Sequence, residues 1–274
     1  MPYTTEDDLT ELLHHLHDWM GAYMKSFHTD DKEVMRGIRI KEEHTGYVTR
    51  IARELAQHLQ LKLHDVQLAE IMGLFHDVGR FRQYSLYQTF NDAQSEDHAD
   101  LGLKVLAELD VLHELASEDL ETVRFAIQEH NKKAIRPTDD KRKLLFAKLL
   151  RDADKQDIYR VLAPFLDPKH AAEAPKFVKG VDKLYVSPDF VEHFAKGEQA
   201  DYYEMRTHGD RIVVRLMWVY DINFGWTLER LLEQGYIEKI IACLPEQEGL
   251  AEGVERLRKY VSQRLEIPDR ADIY

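Results

Sequence analysis

A chain of 274 residues with 44% hydrophobic content is long enough to bury a large core, as one helical domain or as a domain with an appendage, and nothing in it argues for disorder. Fifty acidic against 37 basic residues give a net charge of −13, which opposes binding to nucleic-acid polymers or anionic membranes. No apolar run approaches the length of a membrane span, the first residues lack the basic start and apolar core of a secretion signal, and the single cysteine, Cys243, closes no internal disulfide, so a cytoplasmic protein is expected.

Apolar spacings of three, four and seven predict an all-α chain, with helices over about 6–27, 31–60, 64–78, 96–110, 117–131 and 140–163 and shorter ones beyond. In the first, His14, His15 and His17 with Asp18 read as a surface patch, since no further ligand type lies nearby. The second has the stripe Val34, Ile38, Val48, Ile51, Leu55, and His44 is in phase with it. In the third, Ala69 and Met72 share a face with His76, which is followed by Asp77, and Gly79 is predicted as the C-terminal stop. The polar and aromatic stretch from Phe81 to Gln94 reads as a loop, either a substrate-facing rim or a plain connection. Ser95 and Asp97 offer caps for a helix that begins near His98 and continues through Leu101, Gly102, Val105 and Leu109. Val123 and Ile127 lead to His130 on one face, and Ala147 and Leu150 lead to Asp154 on another.

Composition shifts after about Asp167. Residues 168–207 hold three prolines and the aromatics Phe177, Tyr185, Phe190, Phe194, Tyr202 and Tyr203, which suits a lid or an elaborated connection. Beyond them, Val213, Leu216, Met217 and Tyr220 trace one helical face and Val254, Leu257, Tyr260 and Val261 another, to finish a bundle or form a homodimer surface. Cys243 fills core near Ile240 and Ile241. The expected organisation is a helical core over 1–166 and a helical extension over 167–274 packed on it.

Six metal-ligand side chains thus face inward at five places: His44, His76 with Asp77, His98, His130 and Asp154. Burying two carboxylates among imidazoles costs several kcal/mol unless a partner neutralises them, and a metal ion suits this mixture. Neutral imidazole with carboxylate favours Fe, Mn, Ni, Co or Zn over Ca or Mg. Six protein ligands exceed what one catalytic centre with an open position takes, so the set predicts two ions rather than one. Around these residues the sequence is locally basic, with Arg80, Arg82, Lys132, Lys133, Arg151 and Lys155. Against the acidic whole, that contrast fits a small phosphorylated metabolite. Arg80 and Lys155, each close behind a ligand, are expected to contact phosphate, with Lys132 behind them.

The run Gly73-Leu-Phe-His-Asp-Val-Gly-Arg80 and the order H…HD…H…H…D resemble the HD-domain superfamily of metal-dependent phosphohydrolases, over roughly residues 44–154. The resemblance implies a helical bundle with one or two buried divalent ions. His44, His76, Asp77 and Asp154 would hold the first, and Asp77 would bridge to a second held by His98 and His130. A metal-bound hydroxide would attack a phosphate ester or anhydride of a small molecule or nucleotide, with Asp77, Lys155 and Arg80 as catalytic residues. Glu129 stands where some members carry a second histidine, and no Gly-Tyr-Pro motif is present, which argues against the cyclic-dinucleotide phosphodiesterases; the His-Asp region also shows no sign of the extra motifs of the alarmone hydrolases. The same ligand order resembles the superfamily's diiron oxygenases, which cleave carbon bonds of inositol or phosphonates. A non-catalytic metal- or nucleotide-binding regulatory module is a third reading, against which the complete ligand set and the basic rim speak.

Overall fold

The structure, a computed structural model, describes residues 3–4, 7–166 and 184–270, and these contain helices and no strand. The helices are α1 Thr10–Lys25, α2 Lys32–His58, α3 Leu63–Phe75, α4 Val78–Tyr87, α5 His98–Glu108, α6 Ser117–Glu129, α7 Lys141–Leu166, α8 Pro188–Lys196, α9 His208–Met217, α10 Gly225–Glu233, α11 Tyr236–Ile241 and α12 Leu250–Leu265. The chain divides into two compact units, Met1–Asp157 with Arg270–Tyr274, and Ile158–Asp269, so the division falls inside α7. Of the stretch 168–207, the part up to 183 lies outside the described residues, and so does the lid reading placed on it. The remainder contains α8 and the 3-10 turn Tyr202–Glu204.

In the first unit, α3 is the central helix. Val66, Leu68, Ala69, Ile71, Met72, Leu74 and Phe75 are all buried, so it has almost no polar face and packs on several sides at once. Gly73 lets it lie directly on α2: a Cβ there would stand 2.7 Å from the Thr49 Cα and 3.0 Å from the Val48 carbonyl oxygen. Asp31 caps α2 by accepting from the backbone N–H groups of Glu33 and Val34, and Asp97 caps α5 by accepting from those of Ala99 and Asp100. Ser95 does not cap; its hydroxyl donates to the Asn91 carbonyl.

Two local expectations are corrected. Gly79 does not stop a helix: α3 ends at Phe75, Asp77 has φ −106° and ψ 14°, and α4 starts at once at Val78. The glycine serves close approach instead. A Cβ on Gly79 would lie 2.2 Å from the His98 carbonyl oxygen and 2.5 Å from the Gly102 nitrogen, so its absence lets α4 and α5 meet backbone to backbone. The first half of the expected loop from Phe81 is therefore helix α4, whose buried Phe81, Gln83 and Tyr84 pack inward. The chain turns only at Gln88, in the left-handed region with φ 53°.

The second unit has its own core, in which Tyr159 packs with Phe190 and Phe194 of α8, Ile212, Val213 and Leu216 of α9, Leu228 of α10 and Leu257 and Val261 of α12. A capping box starts α9, with Thr207 accepting from the Asp210 N–H and the Asp210 carboxylate accepting from the Thr207 N–H. Cys243 is partly buried against this core, as expected from its neighbours Ile240 and Ile241.

Candidate metal centre

The first unit brings His44, His76, Asp77, His98, His130 and Asp154 together. His44 and Asp154 sit mid-helix on α2 and α7. The other four lie at helix ends: His76 and His130 are the C-caps of α3 and α6, Asp77 precedes α4, and His98 is the first residue of α5. The helices aim those ends at one point because α3 rests on α2 at Gly73 and α4 rests on α5 at Gly79. A third brace comes from α7: buried Arg151 donates to the Glu129 carbonyl at 2.9 Å, holding the end of α6 where His130 follows.

Asp77 is the shared member. Its Oδ2 lies 3.5 Å from Nε2 of both His44 and His76, and its Oδ1 lies 3.4 Å from Nε2 of His98 and 4.0 Å from that of His130. Two potential ligand groups therefore meet at one carboxylate, His44–His76–Asp77 and Asp77–His98–His130. Asp154 joins the first, 3.0 Å from His44 Nε2 and 3.7 Å from His76 Nε2. The four imidazoles and Asp77 are all nearly inaccessible to solvent.

Each imidazole is anchored through its far nitrogen. His44 Nδ1 is 2.7 Å from an Asp157 oxygen, and His98 Nδ1 is 2.7 Å from an Asp92 oxygen. His76 Nδ1 meets the Gly73 carbonyl at 2.8 Å and His130 Nδ1 the Ile127 carbonyl at 2.6 Å. All four partners are acceptors, so each Nδ1 carries the proton and Nε2 is turned inward. The inward nitrogens then meet each other, His76 with His44 at 3.2 Å and His98 with His130 at 3.0 Å. For the first pair a proton can relieve the contact, since the hydrogen bonds with Asp154 and Asp157 raise the His44 pKa against burial and Lys41. The second pair has no such relief. Burial lowers the His98 pKa to about 4 and lowers that of His130, leaving two neutral rings with lone pairs face to face. A cation between them turns that repulsion into ligation, and acceptors fixing the outer nitrogens are what metal-binding histidines use. The donor set fits a divalent metal.

The carboxylates are poised as anions. Burial would raise the Asp77 carboxyl, but Lys41, His76, Arg80 and His98 together hold it well below the ordinary range. Asp154 is likewise lowered against burial, chiefly by its hydrogen bond with His44.

Three residues at this centre were not singled out by the sequence. Lys41 places Nζ 2.6 Å from Asp77 Oδ2. It stands three residues before His44 on α2, so helical phase was an available signal. Asp157 follows Asp154 by three on α7, and the same signal applied. Asp92 lies in the turn before α5, where no periodicity points, and it also receives hydrogen bonds from Arg80 and Gln83.

The basic residues expected at the rim divide. Arg80 is at the centre, with Nε 3.5 Å from Asp77 Oδ1, while its Nη1 donates to Gln83, the Phe90 carbonyl and Asp92. Lys132 is held by Asp97 at 2.6 Å. Lys155 is buried on α7 next to Asp154 in sequence. Arg82 pairs with Glu108 at the surface, and Lys133 is exposed. His14, His15 and His17 are exposed on α1, with His17 3.1 Å from Glu70. Glu129 accepts from the Arg136 N–H and takes no part in either ligand group. Asp92, Asp97 and His98 also lie within ligand distance of one another, but Asp97 is occupied by the α5 cap and Lys132 and Asp92 by His98 and Arg80.

Residues 42–158 match the model of the HD domain family. Comparison with the curated proteins and with the solved structures gave no significant match. The matched residues run from just before His44 to just after Asp157, which spans every ligand described above. Among the described residues no helix is long and apolar enough to cross a membrane.

Proposed function

From the premise that the chain carries an HD domain over residues 42–158, we propose that it is a metal-dependent phosphohydrolase acting on a small phosphorylated metabolite or nucleotide. The observation that carries this reading is the pairing of two cations, Lys41 and Arg80, with the one carboxylate common to both ligand groups. A site built only to hold metal gains nothing from positive side chains against a carboxylate that would be its ligand; a site that receives a phosphate does.

In this reading His44, His76, Asp77 and Asp154 would hold one ion, and Asp77, His98 and His130 would hold a second. When bound, the metal polarises phosphoryl oxygens and makes water a stronger nucleophile. The chain's own residues do the rest. Asp157 and Asp92 keep His44 and His98 in the Nδ1–H tautomer. Lys41, with its ammonium beside Asp77, is placed to share its charge with a phosphoryl oxygen. Arg80 keeps its fork on Asp92 and presents Nε, buried and without a hydrogen-bond partner, on the Asp77 side. Such fixed cations act where negative charge develops, and they cost no reorganisation when it does. Lys155 and Lys132 remain candidates for contacting the rest of the substrate.

The test is reconstitution of metal-stripped protein with Mn(II) without oxygen, and with Fe(II) in air, against panels of phosphomonoesters, nucleotides, polyols and phosphonates. Release of phosphate by the anaerobic Mn(II) protein is expected. Oxygen uptake by the Fe(II) protein with no hydrolysis under any condition would replace this reading with the oxygenase one. Tight metal retention without turnover of either kind would leave a regulatory module.

A further inference from the structure

The second unit contains a buried cation, Arg215, that no acid among the described residues balances. Arg215, on α9, is 7% exposed, and both its Nε and Nη1 lack a hydrogen-bond partner. No carboxylate among the described residues forms an ion pair with it. Its guanidinium instead lies against two rings, 3.9 Å from the centre of Trp218 and 5.3 Å from that of Tyr202, and these rings are themselves stacked 6.4 Å apart. Aromatic faces satisfy the flat side of a guanidinium, but its N–H groups point outward in the ring plane and need acceptors. The Tyr202 side chain supplies one hydrogen-bond partner, which leaves Nε and Nη1 without one; burial, with Arg211 one turn earlier on the same helix as a second positive charge, lowers the Arg215 pKa against the contribution of Tyr202.

An unbalanced buried guanidinium is costly, and its planar fork of donors matches a carboxylate or phosphate that would offset that cost. Trp218 is only partly buried and Tyr202, on a single 3-10 turn, is 43% exposed, so the cover over Arg215 is a thin one. We propose that Arg215, beneath Tyr202 and Trp218, is the core of an anion-binding site that takes the phosphate or carboxylate group of a small molecule. The site belongs to Ile158–Asp269 and is assigned independently of the phosphohydrolase reading, which concerns Met1–Asp157. Tyr202 and Trp218 would form the wall against which the remainder of such a ligand stacks, and Arg215 would supply the charged donors.

The experiment uses the full chain stripped of metal and titrated with inorganic phosphate, with citrate, and with sodium chloride at matched ionic strength, reading tryptophan fluorescence and unfolding temperature. A saturable change with phosphate or citrate and not with chloride is expected, and whichever of the two acts identifies the anion's class. The fluorescence change should vanish in Trp218→Phe, which keeps the ring wall but removes the reporter. Arg215→Met should abolish both responses, and Arg215→Lys, which keeps a charge but loses the planar donors, should weaken apparent affinity about tenfold or more. Repeating the titration in Asp77→Asn should leave the responses intact, which separates this site from the metal centre. No response to either anion, or a response that survives in Arg215→Met, overturns the proposal. If Arg215→Met does not fold, the Arg215→Lys titration decides, and unchanged affinity there has the same meaning.

Discussion

Asp77 is common to both ligand groups, so on the two-ion proposal its removal should cost the protein both ions, whereas removal of His130 should cost one. In metal-stripped protein the inward nitrogens of His98 and His130 stand 3.0 Å apart as neutral lone pairs, and metal binding relieves that contact in the folded state only. At a free metal concentration about 100 times Kd, each site adds about 2.7 kcal/mol of stability. The first unit has a main segment of 157 residues, Met1–Asp157, and in a domain of that size each kcal/mol moves Tm by about 2–4 °C. Each occupied site should therefore raise Tm by about 5–11 °C, and two by about twice that. The assay is calorimetry of stripped protein with and without Mn(II), paired with elemental analysis of retained metal. Wild type should show two ions and the full shift, His130→Ala one ion and about half of it, and Asp77→Ala little of either. The comparison is between loaded and stripped forms of each variant, because Asp77→Ala also deprives Lys41 of its partner and lowers the stripped baseline. If Asp77→Ala retained two ions with the full shift, the shared-carboxylate geometry would be wrong.

Asp157→Ala should weaken metal binding about 10- to 100-fold by freeing the His44 ring, as chelator competition would show; unaltered affinity would mean that the 2.7 Å contact does not orient the ligand. Lys41→Met should lower kcat/KM on the order of 10²-fold while metal content stays full, and an equal rate would remove Lys41 from the phosphate site. In metal-free protein, burial holds His76 at about 3 and His98 at about 4, with His130 lowered as well, whereas unfolded histidines titrate near 6.5. The unfolded state thus binds more protons across this window, so stability is fully present above about pH 6.5 and is lost as pH falls toward 4; His44, raised, opposes this with one proton against three. Urea denaturation at pH 7.5 and 5 should show the loss, and equal midpoints would contradict it. Gly79→Ala places a methyl group against backbone rather than a flexible side chain, so it should cost about 3 kcal/mol or more in denaturation and reduce metal retention with it.

How much of this was legible beforehand differs from residue to residue. His44 could be placed because it lies in phase with Val48 and Ile51, and Asp154 because it follows Leu150 and Ala147; helical periodicity carries that information locally. His76, His98 and His130 shared the same apolar faces, but each stands at a helix end, and periodicity does not say where a helix stops. That is why Gly79 was expected to terminate α3 when the chain in fact re-enters a helix at Val78. Lys41 is in reach of the same phase argument, but a lysine on a helix reads as solvated surface until a buried carboxylate is known to face it. Asp92 lay beyond any such argument, since its turn has no period.

The sequence by itself determined the helical class, the inward-facing stripes and the presence of six ligand-type side chains in a fixed order, because each of these depends on spacing along a single helix. The tertiary structure alone decided that His44 meets His76 and His98 meets His130, that Asp77 lies between the pairs, and that Lys41 and Arg80 flank it. Those contacts join different helices, and their distances follow from how closely the backbones approach. At Gly73 and Gly79 the absence of a single Cβ sets that approach, and a missing atom acquires its meaning only from the neighbour it admits.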